Sequence, residues 1–147
     1  MSTVEAVDAP VPLVELINGK FSYFDTRRVD KHNHSMLNPF RRLDEVVGDI
    51  QVPQWNVTDF ASINTLRDLG LFIIFALLAG YGDQSATIHD YLYGGGLPVS
   101  GQVIYRKDAD DIYYRALRAE GVARWRAGIF YAGVRLFGAS RWKGAVQ

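Results

Sequence analysis

The sequence predicts an α+β fold, a small N-terminal antiparallel sheet followed by three or four packed helices. Three observations carry that expectation. Short β-leaning runs broken by turn residues fill the chain up to Pro53. From Ser62 onward the apolar residues recur at three and four positions, the spacing of one helix face. Glycines then punctuate the helical stretches, at Gly80, Gly94–Gly96, Gly121 and Gly138. Short strands followed by a run of helices is the element order of an α+β domain.

Residues 1–12, which include Ser, Thr, Asp, Ala and two prolines, read as a flexible arm, and residues 13–147 as one domain. Val11–Ile17 and Lys20–Thr26 flank Asn18-Gly19, the strongest short-range hairpin signal. Arg27–Arg42, polar and holding His32, Asn33, His34 and Pro39, reads as a loop. Leu43–Val52 supplies one or two further strands that stop at Pro53. Asp68–Ala79 forms a short, almost wholly apolar helix ended by Gly80-Tyr81-Gly82. Ser85 is the expected N-cap of a helix carrying Ile88–Tyr93, which Gly94-Gly95-Gly96 terminates. Lys107–Arg118 places Ile112, Tyr113, Ala116 and Leu117 on one face. Val122–Phe137 does the same with Val122, Trp125, Ile129, Phe130, Val134 and Phe137.

At 147 residues the chain can bury a real core without staples. Sixteen basic and sixteen acidic residues leave no net charge, which removes the bulk electrostatic case for a nucleic-acid partner. There is no cysteine, so disulfides and thiolate metal sites are excluded. The first twelve residues lack the basic and apolar regions of a signal peptide, and Leu69–Ala79 is about half the ~20 residues of a membrane helix. No transmembrane segment is expected, and the composition reads as soluble and globular.

The chemistry concentrates in Ile88-His89-Asp90-Tyr91-Leu92-Tyr93. An ionised carboxylate is costly to bury, so a His-Asp pair in an apolar segment needs a reason, catalytic or structural. His89 and Tyr93 share a helix face, whereas Asp90 points about 100° away. Through the Gly-rich connector Gly94–Gly101, the next helix can return antiparallel and bring Asp110 or Asp111 to His89. A carboxylate on one imidazole nitrogen fixes the tautomer and leaves the other nitrogen as a base. His89, Asp110 and Asp59 are therefore the candidate catalytic residues, and Asp90 the candidate ligand of a divalent cation. The bland alternative is a satisfied buried network tying two helices to the sheet. His32-Asn33-His34 is better read as solvated than as a metal pair, and the glycine triplet as a helix stop rather than a phosphate cradle. Ser62, without nucleophile-elbow glycines, reads as a cap, and Arg118, Arg124, Arg126 and Arg135 as a solvated face.

Two motifs in order, Val57-Thr58-Asp59-Phe60-Ala61-Ser62-Ile63 and Ala86–Tyr93, are followed by Arg106, Ala109-Asp110, Tyr113, Tyr131, Val134-Arg135, Phe137-Gly138 and Trp142. Over roughly residues 45–142 the chain thereby resembles a family of uncharacterised small proteins of tailed bacteriophages and prophages. Asn64 stands where that family usually has proline, and Leu69–Ala79 is unusually hydrophobic. The resemblance implies a phage setting. His89-Asp90-x-x-Tyr93 with Asp110 on a following helix is also similar to the active site of secretory phospholipase A-two. That likeness implies His89 as general base through a water, Asp90 as a calcium ligand and Asp110 orienting His89. The disulfides of that enzyme class are absent here, and Gly80-Tyr81-Gly82 is a poor substitute for its calcium loop.

Two functions result. The first is a virion component of the neck, tail or baseplate, made in the host cytoplasm and assembling with other phage particle proteins or with copies of itself through the N-terminal arm and the exposed part of Leu69–Ala79, the alternative being that the domain itself covers that apolar helix. The alternative is an envelope-directed hydrolase of ester or amide bonds, metal-assisted through Asp90. The sequence ranks the particle component first.

Overall fold

The computed structural model describes residues 13–29, 33–58 and 83–144. Within them the order is β1 (Thr26–Arg28), β2 (His34–Met36), β3 (Phe40–Asp44), β4 (Gly48–Val52), β5 (Val57–Thr58), α1 (Asp83–Tyr93), α2 (Arg106–Ala119), α3 (Arg124–Phe137) and a 3-10 turn at Ala139–Arg141. The fold is α+β, as the sequence predicts. β1, β2 and β5 form one antiparallel sheet in that order, and β3 and β4 form a second.

The β3–β4 hairpin runs in register from Phe40↔Val52 to Asp44↔Gly48. Its inward positions are Phe40, Arg42, Asp44, Ile50 and Val52, and Leu43 faces out. The turn is built by Asp44, whose Oδ2 accepts from the Val46 and Val47 amides at 2.9 and 3.0 Å. Gly48 supplies the positive φ of 81° that the return requires. Arg42 is wholly buried, its guanidinium 4.9 Å from the Phe21 ring and held by both oxygens of Glu45 at 3.0 Å.

Two expectations for the N-terminal part are corrected. Asn18-Gly19 does turn the chain, with Asn18 Oδ1 accepting from the Lys20 and Phe21 amides at 3.0 and 2.8 Å. Among the described residues one backbone bond, Ile17 N to Phe21 O at 2.9 Å, joins its flanks, and they form no strand ladder with each other. Phe21 instead bridges to Arg42 of β3, and Phe21 and Phe24 pack on the Phe40 ring at 5.9 and 5.0 Å. Burying two aromatic rings against β3 outweighs a marginal isolated hairpin. The second correction concerns Arg27–Arg42, which holds β1's end, β2 and the start of β3 rather than a loop. Strands of three residues are too short to show alternation, and β2 finds its partner in β5 (His34↔Thr58), far along the chain.

The helices follow the predicted spacing. α1 ends in a Schellman motif, with Gly96 N donating to Tyr91 O at 2.9 Å, Gly95 N to Leu92 O at 3.1 Å, and Gly95 at φ 100°. α2 ends the same way through Gly121 and Val122. Ser85 is not an N-cap: it lies inside α1, and its amide and hydroxyl both donate to Glu120 at the end of α2. Ile112, Tyr113, Ala116 and Leu117 are all fully buried. In α3 the inward face is Ala127, Phe130 and Val134, whereas Trp125 is 58% exposed. One core layer lies between the β3–β4 hairpin and α1–α2, and a second between α2 and α3. The Leu69–Ala79 helix and its docking role, the arm of residues 1–12, Asp59, Ser62 and His32 lie outside the described residues.

Candidate functional site

The two core layers meet at His89, and here α1, α2 and α3 converge on one carboxylate. Asp110 is fully buried on α2. Its Oδ1 accepts from His89 Nε2 at 2.7 Å and from the Tyr93 hydroxyl at 2.6 Å. Its Oδ2 accepts from Arg135 of α3 at 2.8 Å, and the Arg106 guanidinium stands 3.7 Å away. The one-turn separation of His89 and Tyr93 lets both reach the same oxygen. Arg106 also donates to the Val134 carbonyl at 3.2 Å, near the C-terminal end of α3, where a cation suits the helix dipole.

The imidazole is fixed on several sides. Its ring centre lies 4.1 Å from Tyr93 and 4.6 Å from Tyr113, and His89 is 3% exposed. Tyr93 is in turn held by the Trp142 ring at 5.2 Å and by Gly138. A Cβ at Gly138 would fall 2.5 Å from Val134 O and 2.8 Å from the Tyr93 hydroxyl. Gly138→Ala is therefore expected to cost about 1–2 kcal/mol, read from the denaturant midpoint, because overpacking here displaces a hydrogen-bonded Tyr. A neutral result would mean that Tyr93 is not held as described.

Burial pushes the imidazolium of His89 below the usual histidine range, and the hydrogen bond and charge of Asp110 restore only part of it. Burial alone would raise the Asp110 carboxyl, but the hydrogen bonds from His89 and Tyr93, with that of Arg135, hold it below the usual carboxylate value. Burial and the Asp110 carboxylate together push the Tyr93 phenol well above the usual tyrosine range, so it remains a donor. At neutral pH the arrangement is an ionised Asp110 facing a neutral His89. An ionised acceptor requires the proton on Nε2, which puts the lone pair on Nδ1.

These directions fix a pH dependence. A histidine whose folded pKa is depressed leaves the unfolded chain binding more protons below about pH 6.5, so stability falls as pH drops through that value. The depressed Asp110 adds a second loss below about pH 4. The melting temperature should be level above neutrality, begin to decline as pH falls below about 6.5, and drop more steeply below about 4. His89→Gln should flatten the first decline; an unchanged profile in that variant would assign the decline to other groups.

Of the sequence's candidates, the structure brings His89 and Asp110 together. Asp111 is engaged elsewhere, by Lys107 at 2.8 Å and the Tyr131 hydroxyl at 2.8 Å. Asp90 is half-buried on α1, and among the described residues no group of three or more His, Asp or Glu could hold a metal ion. His34 sits in β2, in the field of Asp83. Arg135 is corrected from a solvated position to a partner of Asp110. Arg106 and Tyr113 also belong to the site: Arg106 stands four residues before Asp110 on the same helix, a spacing that pairs opposite charges, and both are among the motif residues that carry the phage-family resemblance.

The match that decides the family covers residues 35–134, from β2 to α3. The chain belongs to the family described as protein of unknown function (DUF1353). His89, Tyr93, Arg106 and Asp110 all lie inside the DUF1353 match, whereas Arg135, Gly138 and Trp142 follow directly after it. No curated protein and no solved structure matches the chain.

Proposed function

We propose that this DUF1353 chain is a hydrolytic module of a phage particle, acting on ester or amide bonds of the bacterial envelope with His89 as general base. One observation supports the chemistry above the rest: Asp110 spends one oxygen on His89 Nε2 and Tyr93 and the other on Arg135, so one buried carboxylate orients one neutral imidazole. Asp110 thereby sets the tautomer and stabilises the imidazolium formed when Nδ1 takes a proton from an attacking water. Tyr93 and Tyr113 hold the ring against rotation. The phage setting rests on the motif resemblance, and a particle component can carry such a module while assembling with its neighbours.

The test is hydrolysis of a panel of chromogenic esters and amides, and of isolated bacterial envelopes, by the full chain. His89→Gln should lower kcat about 10²–10⁴-fold, and Asp110→Asn should lower it while shifting the acid limb of the pH–rate profile. A second reading, in which the site is only a strut, draws on the 3% exposure of His89. Wild-type chain inactive on every substrate with and without added calcium or zinc, together with a folded His89→Gln variant that supports normal infectivity, would establish that second reading.

A further inference from the structure

The last helix carries two apolar stripes. Ala127, Phe130 and Val134 face the core. Trp125, Ile129, Ala132 and Leu136 come round on the opposite side at about 100° per residue. Trp125 is 58% exposed and Leu136 is 72% exposed, and Ala132 is exposed between them. An amphipathic helix that covers a core should be polar on this side.

The charge along this C-terminal segment of the sequence has one sign. Residues 121–147 hold Arg124, Arg126, Arg135, Arg141 and Lys143 and no Asp or Glu. The rest of the chain carries sixteen acidic against eleven basic residues. Arg124, Arg141 and Lys143 are exposed, and the Arg126 guanidinium lies 5.0 Å over the Trp125 ring, placing a cation beside the largest apolar anchor. The relief is flat: Trp125 and Leu136 are eleven residues and about 16 Å apart, and between them Ala132 is small and Gly128 opens onto empty space.

We propose that this outward face of α3 docks on an anionic lipid surface. The stripe lies in the plane of the interface, with Trp125 and Leu136 entering the acyl boundary and the basic residues meeting headgroup phosphates. A low, two-ended apolar strip with cations only at its rim complements a planar anionic sheet. A protein groove would call for protruding large knobs along the whole helix; here Ile129 is half-buried, and Ala132 and Gly128 leave the middle of the strip low. The proposal does not depend on the role of His89, because docking is read without turnover.

The experiment is co-sedimentation of the full chain with vesicles of phosphatidylcholine mixed with phosphatidylglycerol, against vesicles of phosphatidylcholine alone. Binding is expected to the anionic vesicles only, to weaken with added salt, and to shift tryptophan emission to the blue. Trp125→Ala and Leu136→Ser should each lower the partition constant about tenfold, and Arg124→Gln about fivefold. Both apolar side chains are exposed, so the melting temperatures of these variants should match wild type, which separates lost docking from lost fold. Equal binding to both vesicle types, or variants that bind as wild type, would overturn the proposal. A wild-type dimer that Trp125→Ala converts to monomer would also overturn it, by assigning the stripe to a second copy of the chain.

Discussion

Asp110→Ala is expected to destabilise the protein by about 3–5 kcal/mol, read from chemical denaturation with an unchanged slope. The substitution removes an acceptor shared by His89, Tyr93 and Arg135 and brings nothing in its place. Each donor stays inside the junction of three helices without its water, and orphaned buried donors cost more than the hydrogen bonds contributed. Arg135 is 30% exposed and can swing outward, which keeps the loss from growing further. Asp110→Asn keeps one oxygen for His89 and Tyr93 and should recover about half of the loss. A cost below about 1 kcal/mol for the alanine variant would mean that the three donors find other acceptors.

Asp44→Ala should cost about 2–3 kcal/mol. Asp44 performs two tasks that a survey of ion pairs would separate. Its Oδ2 satisfies two backbone amides of the β3–β4 turn, and both oxygens take the Arg115 guanidinium of α2 at 2.9 and 3.0 Å. Burial would raise this carboxyl, but Arg115 and the Val46 and Val47 amides bring it below its usual value, so its contribution vanishes only in strong acid. Asp44→Asn preserves the turn acceptor and loses the ion pair, and should cost about 1 kcal/mol. A double-mutant cycle with Arg115→Ala isolates the second task; zero coupling would make Arg115 a bystander.

How far the sequence can be read depends on the range of the interactions involved. The helices were legible because spacing within one element announces them: Ile112, Tyr113, Ala116 and Leu117 needed no partner to be recognised as one face. His89 and Asp110 were legible for a related reason, since a glycine-rich connector between two helices leaves few ways to return. Arg135 was not, because a long cation's direction is set by the carboxylate it finds on another helix, whereas the i,i+4 spacing of Arg106 and Asp110 was present in the sequence and passed over. Trp125 was misplaced because α3 has apolar residues on two sides, and periodicity marks stripes without saying which one meets the core. The short strands were missed because three-residue runs such as β1 and β2 show no alternation and are recognised only by their pairing with one another and with β5.

The sheet order bears on how the chain reaches this state. The β3–β4 hairpin lies wholly within the connection between β2 and β5, which pair with each other. Joining β2 to β5 directly would require closing a loop of about twenty residues, at an entropic cost that grows with loop length. Once Asp44 and Gly48 have turned the hairpin, its two ends stand side by side and the effective loop shrinks to a few residues. The nesting thus favours one order of assembly for the long-range pair: the inner hairpin zips within microseconds and brings β2 and β5 together, while β1 reaches β2 through its own short connection. Weakening the inner turn should therefore slow folding as well as lower stability.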